Sequence, residues 1–297
     1  MVREPVRLGR WDGPVIDNRQ VSIDNALMSR PKRSAVHKYH DRVAHQYDAS
    51  YEDAYWQWHD TLTWEYLKPF LPRDANATVL DLGCGTGKWA AKLLKSGYRV
   101  VCVDISARML DQSRAKVDEQ GGARRASFVQ ADLCDLSMLP EGGAAMAVAL
   151  GDPIGCTSSP PTAMKQIRKA LAPGGVLTAT FDNKLTTIDF HLKRGDAEEL
   201  AEFLRSGRTH WLTKDAAEQF EITTYSPEEL RELMNRSGFE VLDLVGKTVL
   251  PMRSHRELLV DGEARRRWAQ IEKTLCRKEA ALGRASHLQI AGRASGK

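Results

Sequence analysis

Three aspartates stand at the ends of short apolar runs: Asp81 in Val79-Leu80-Asp81-Leu82, Asp104 after Val101-Cys102-Val103, and Asp132 in Gln130-Ala131-Asp132-Leu133. Directly after the first, Gly83-Cys84-Gly85-Thr86-Gly87 puts glycine at three alternate positions where a strand turns into a helix. Glycine suits that turn because the backbone must bend sharply and approach a ligand with no Cβ in the way. A dinucleotide loop, G-x-G-x-x-G, needs glycine at position 88, which is Lys88, so nicotinamide redox chemistry is disfavoured. The spacing found here suits a smaller ligand with an amino-acid end. A carboxylate at Asp104 can accept hydrogen bonds from both hydroxyls of a ribose, and an amide and a carboxylate near Asp132 can read an adenine edge. Carboxyl ends of successive strands are where an open α/β sheet binds ligands.

The surrounding sequence supplies the elements that position these groups. Apolar runs at 78–82, 99–103, 126–130, 144–150 and 176–181 read as strands. Helices are expected at 87–95, at 107–117 behind the cap Ser106, and from Pro160 to Leu171 behind Ser159. Ser226-Pro227-Glu228-Glu229 is a capping box opening a helix that stops at Gly238. Further strands are expected at 240–245 and 287–292, with helical spacing across 261–282. Repeated β-α-β-α order implies a mostly parallel sheet with helices on both faces. Ahead of it, residues 1–35 read as a polar N-terminal arm. Residues 36–70 carry Tyr51, Tyr55, Trp58, Leu62 and Tyr66 on one helical face. Residues 182–225 interrupt the alternation with less regular sequence.

These residues resemble the class I S-adenosylmethionine-dependent methyltransferases, over roughly residues 79–245 with a plausible last strand at 287–292. The resemblance implies a seven-stranded α/β Rossmann-like sheet of order 3-2-1-4-5-7-6 whose last strand is antiparallel. It implies that Asp81, Gly83, Gly85 and Gly87 form the cofactor loop, that Asp104, with Ile105 beside it, holds the ribose, and that Asp132 and Leu133 contact adenine. Gly151-Asp152 would line the methionine end. Ala44-His45-Gln46-Tyr47-Asp48 resembles the opening helix of ubiquinone/menaquinone-type and natural-product enzymes, whose tyrosines close over the cofactor, hence Tyr47. Residues 36–297 are then one methyltransferase domain, with a helical lid (36–72), a substrate cap insert (182–225) and an insertion between the last two strands (247–286). The expected cofactor is S-adenosyl-L-methionine and the expected acceptor a small molecule attacked through N, O or C.

Composition narrows the classes. The chain has 297 residues, 42% of them hydrophobic, which excludes a disordered protein. Residues 1–50 carry a net +3, 51–250 a net −5 and 251–297 a net +6. The longest apolar stretch, seven residues at 144–150, is far short of a membrane span. Five scattered cysteines with no C-x-x-C pair, and an N-terminal stretch with no apolar run, point to a reducing cytoplasm rather than secretion. The weak overall charge disfavours a dedicated nucleic-acid enzyme. The basic ends keep an RNA or protein methyltransferase as the alternative, with a homodimer contact as another use for them. A non-catalytic cofactor-binding protein is the second alternative.

Methyl transfer from a sulfonium needs alignment and dryness more than a catalytic triad, so no motif names a base. His59, His191, His210 and Tyr225 are the first candidates. Asp152-Pro153-Ile154-Gly155 stands where DNA amino-methyltransferases carry a proline-rich signature, but lacks its second proline and aromatic, so a plain supporting loop is preferred. His37, Asp41 and His45 lie four apart, a spacing that fits a metal but more often marks a solvated helix face, and no metal is expected. The row Tyr51, Tyr55, Trp56, Trp58 and Trp64 reads first as helix packing and second as an aromatic cage. Arg265-Arg266-Arg267 reads as a solvated helix.

Overall fold

The computed structural model describes residues 34–211, 213 and 215–296. The expected arm, 1–35, falls almost wholly outside the described residues. Among the described residues, helices α1 (Ala35–Val43) and α2 (Ala54–Leu67) come first. The sheet then builds as β1 (Thr78–Leu82), α3 (Lys88–Lys95), β2 (Arg99–Asp104), α4 (Ala107–Glu119), β3 (Ala126–Gln130), β4 (Ala144–Ala149), α5 (Pro160–Ala170) and β5 (Leu171–Asp182). After β5 come α6 (Lys184–Arg194), α7 (Ala197–Ser206), β6 (Arg208–Trp211) and β7 (Phe220–Thr223). The chain closes with α8 (Pro227–Arg236), β8 (Phe239–Lys247), α9 (Gly262–Leu275), α10 (Glu279–Leu282) and β9 (His287–Ala294).

The seven-stranded sheet runs β3-β2-β1-β4-β5-β9-β8, with β9 antiparallel to both neighbours. Counting only its own strands, that is the expected order 3-2-1-4-5-7-6. Alternation along the inner strands sorts side chains to two cores. Leu80, Val101 and Val103 pack on one face with Met164, Ile167 and Leu230, whereas Val79, Val100 and Cys102 pack on the other with Leu93, Leu110 and Val117. Caps Ser106, Ser159 and Ser226 accept backbone N–H groups of Met109, Thr162 and Glu229, as their positions predict.

Two expectations need correcting. Residues 36–70 are not one helix. α1 ends at Val43, and two 3-10 turns (Ala44–Gln46 and Asp48–Tyr51) carry the chain to Asp53, which caps α2. Residues 182–225 are regular, not irregular: two helices and the antiparallel ribbon β6–β7. Their turns are closed by Gly195 and Gly207 in left-handed conformation, and Asp196 caps α7 through Glu198 and Glu199 N–H. The ribbon docks on α1. Tyr39 meets Phe220 at 5.7 Å between ring centres, and Arg42 bonds Glu218 at 2.6 and 2.8 Å.

The segment after β8 is held by one buried carboxylate. Glu272 of α9 is fully buried and accepts the backbone N–H groups of Val249 at 2.6 Å and Leu250 at 3.0 Å. Those bonds fix the turn at Thr248, a non-glycine residue at φ 62°, which costs on the order of 1–3 kcal/mol. Glu272→Ala leaves the buried Val249 N–H and the half-buried Leu250 N–H unpaired. It is expected to lower unfolding free energy by roughly 2–4 kcal/mol in urea titration, with Glu272→Gln losing less.

Candidate functional site

The three loop glycines differ in what they do. A Cβ on Gly83 would lie 2.3 Å from Pro153 Cβ, and one on Gly87 2.4 Å from Ser113 Oγ and 3.0 Å from Ser113 Cα. Both are glycine because protein packs against them. Gly85 (φ 52°) and Gly151 (φ 95°), by contrast, have nothing within 4 Å of that position and open onto the same cleft. Gly85 N–H donates to Asp104 Oδ2 at 2.9 Å, and Ser106 N–H to Oδ1 at 2.9 Å, so Asp104 is clamped at the end of β2 with acceptor capacity left over. Asp81 is buried beneath the loop, and its Oδ2 has no partner. Burial, with help from the Asp104 charge, raises the Asp81 carboxyl to about 7. An unpartnered buried carboxylate oxygen is costly unless a ligand meets it.

The cleft, about 660 Å³ including its mouth, lies at the carboxyl ends of β1 and β4. Its lining includes Gly83, Gly85, Leu150 and Gly151 on the sheet side, and Tyr47, Tyr51, Trp56 and His59 on the other. The segment between α1 and α2 is latched to the glycine loop. Asp48 accepts Thr86 Oγ1–H at 2.5 Å and Lys116 Nζ–H at 2.5 Å. Burial works against its charge, but those two bonds prevail and hold the Asp48 carboxyl below its ordinary range.

A second group of polar side chains closes the cleft. Asp182, His287 and Lys247 are register partners across β5, β9 and β8, one row on three adjacent strands. Asp182 Oδ1 lies 3.6 Å from His287 Nε2. Lys247 is fully buried and donates to Thr63 Oγ1 at 2.9 Å, while Thr63 donates to His59 O at 2.9 Å. Above the row, the His59 ring stands edge-on to His287 at 5.2 Å, and Asp60 bonds Lys88 at 2.8 Å. Burial lowers the Lys247 amine to about 7, against the pull of Asp60 and Asp182. Burial and then the Lys247 charge lower His59 to about 4. Burial raises Asp182 to about 6, with Lys247 and Arg253 opposing.

Of the residues singled out from sequence, Tyr47, Gly83, Gly85 and Gly151 line this cleft together with His59. Asp81, Gly87, Asp104 and Ile105 stand behind or beside the glycine loop. Leu133 is buried in the core, and exposed Asp132 accepts Cys134 N–H at 2.9 Å in a local turn. The other base candidates fall elsewhere. His191 is buried against Phe203 at 4.2 Å and bonded to Glu199 and Thr209, so it ties α6, α7 and β6 together. His210 is exposed on the ribbon, and Tyr225 is half-buried against Phe181. The metal spacing breaks because α1 ends at Val43. His45 is turned to Arg42 O, and Asp41 accepts Ser106 Oγ–H at 2.6 Å. Asp152 is no base-reading group, since its carboxylate accepts Gly155 N–H at 2.9 Å and Asp182 N–H at 3.0 Å. Lys247, His287 and Asp182 were not singled out. The strand-end rule that found Asp81 and Asp104 also fits Asp182, the last residue of β5.

A methyltransferase domain family matches residues 79–175, β1 to the turn within β5. The Escherichia coli tRNA 5-carboxymethoxyuridine methyltransferase is 22% identical, over 71% of this chain and 78% of its own length. The Lactococcus lactis demethylmenaquinone methyltransferase is 24% identical over 74% and 87%. The chain spans only 41% and 36% of two other curated relatives, an uncharacterized Synechococcus protein and an uncharacterized chloroplastic methyltransferase of Arabidopsis thaliana. Among solved structures, an S-adenosylmethionine dependent methyltransferase from Mesorhizobium loti superposes with TM-score 0.52 at 19% identity, covering 78% of this chain and 97% of that one. The 4+2 cyclase SpnF shares the fold at TM-score 0.52 and 19% identity over 80% and 81%. The fold alone therefore leaves the chemistry to the site.

Two outcomes test this geometry. Gly87→Ala is expected to destabilise the fold, because its Cβ meets Ser113, whereas Gly85→Ala costs only roughly 1–2 kcal/mol of backbone strain in thermal unfolding. The His59 imidazole is expected to stay neutral until the pH falls to about 4 in an NMR titration, and to gain protons at higher pH once the Lys247 cation is removed.

Proposed function

We propose that this chain, a member of the class I S-adenosylmethionine-dependent methyltransferase superfamily, transfers a methyl group to a small-molecule acceptor held in the cleft beneath Tyr51 and Trp56. The observation that carries the reading is the pairing of an unpartnered buried Asp81 oxygen with open space over Gly85 and a clamped Asp104. That set fits the cofactor. Asp81 and the loop backbone receive its amino-acid end, and Asp104, beside Ile105, takes its ribose hydroxyls. Leu133 and Asp132 border the adenine, while Tyr47 covers the cofactor from the lid. Bound there, S-adenosylmethionine supplies a methyl group already activated on a sulfonium.

The protein's own work is alignment and exclusion of water. The Asp48 latch to Thr86 and Lys116 pins the covering segment over the glycine loop. Tyr51 and Trp56, whose rings meet at 4.8 Å, give the acceptor an apolar wall, and holding it in line with the methyl group lowers the entropic part of the barrier. A small acceptor is supported by this aromatic lining and by the demethylmenaquinone relative. Five free cysteines fit a reducing cytoplasm. Among the described residues no helix is long and apolar enough to cross a membrane.

Calorimetry with S-adenosylhomocysteine is expected to show one saturable site. Asp104→Ala is expected to weaken it about 10- to 100-fold, the equivalent of losing roughly 1.5–3 kcal/mol of hydrogen bonds to a charged group. Absence of binding contradicts the proposal. Steeply salt-dependent RNA binding would move the acceptor from small molecule to RNA.

A further inference from the structure

The cleft places one amine where an acceptor's proton would go, and nothing in the superfamily's loop chemistry calls for it. Lys247 lines the cleft alongside Gly151 and Trp56, yet its side chain is withdrawn from bulk water. Its amine bonds Thr63 Oγ1, whose own hydrogen is committed to His59 O, so Nζ must donate there. A neutral amine in that geometry spends one N–H on Thr63 and keeps its lone pair for the cleft.

Resting on the methyl-transfer reading above, we propose that Lys247 is the proton acceptor of the reaction, and that the acceptor substrate is a planar compound with a weakly acidic O–H, of the phenol or enol class. The O–H proton passes to Lys247 Nζ while the oxygen lone pair forms the O–CH3 bond. The C–S bond of the sulfonium breaks, and its electron pair stays on sulfur as a neutral thioether. The resulting ammonium returns its proton to water when product leaves.

Four observations support this assignment. The wall of Tyr51 and Trp56 fits a flat ring. Lys247 is fixed by its row with His287 and Asp182, and by the Thr248 turn that Glu272 secures. The surrounding charges leave the amine switchable. His59 and Asp60 act on it from α2, and Asp182 and His287 from β5 and β9, while Lys88 of α3 pairs with Asp60 and Arg253 acts on Asp182 and His287. Burial lowers its proton affinity to about 7, where a base is effective at neutral pH. His59, at about 4, is the weaker base in the same cleft.

The test uses the full chain with phenol, which stays protonated at neutral pH, as acceptor and S-adenosylmethionine as donor, following release of the demethylated cofactor. The rate is expected to rise with pH as Lys247 loses its proton. Lys247→Met is expected to lower kcat about 100-fold or more and flatten that rise. Lys247→Arg, charged throughout, is expected not to rescue. Calorimetry with S-adenosylhomocysteine should be unchanged in both, which separates this role from folding. Independently of turnover, isotope-labelled lysine NMR should show one Nζ titrating near neutrality, absent from Lys247→Met. Full activity in Lys247→Met, an amine still charged at alkaline pH, or a cofactor-binding chain that neither binds nor methylates phenol would overturn the proposal. Failure to bind S-adenosylhomocysteine would overturn the methyl-transfer reading instead.

Discussion

Taking a lysine ammonium out of water costs on the order of several kcal/mol, and one edge of this sheet is organised around that cost. Lys247 ends β8 with no exposed surface to speak of, and its neighbours are chosen accordingly. Asp182 and His287 lie in its own row, Thr63 accepts its hydrogen, and Asp60 supplies a further carboxylate from α2. Gln289, one step along β9, is itself tied to Thr63 O at 3.1 Å. The strain at Thr248 and the buried Glu272 follow from the same need, since the chain must turn immediately after Lys247 without freeing it.

The other half of the site is built by a different rule. Parallel strands β1, β2 and β4 end on one edge, so the glycine loop, Asp104 and Gly151 converge without further instruction. Packing decides the loop's shape: Pro153 presses on Gly83 and Ser113 on Gly87, leaving Gly85 to face the cleft. The covering segment joins the halves. Asp48 binds it to the glycine loop, and Tyr51, Trp56 and His59 lean over the lysine row. Among the described residues, the insert after β5 contributes no lining to this cleft. It braces α1 through Tyr39 and Arg42.

The sheet was legible in sequence because its strands are short apolar runs bounded by glycine and capping residues. The termini at Thr78–Leu82 and Ala126–Gln130 coincide with their runs. The break between α1 and α2 was not, because Tyr51 and Tyr55 keep helical spacing across a stretch that Asp53 recaps. Asp81 could be found because glycines follow it, and Asp104 because it ends an apolar run. Lys247 and His287 could not, since they meet only through an antiparallel pairing whose register no local pattern states. Asp152 reads in sequence as part of a plain supporting loop, and its carboxylate accepts Gly155 N–H and Asp182 N–H.

A crystal structure of the complex with S-adenosylhomocysteine tests most directly the claim that donor and proton acceptor share one cleft. The account predicts ribose hydroxyls on Asp104, the amino group beside Asp81 and Gly85, and the sulfur facing the space between Gly151 and Lys247 Nζ. A cofactor whose ribose lies away from Asp104, or whose sulfur turns from Lys247 toward the insert after β5, would contradict it.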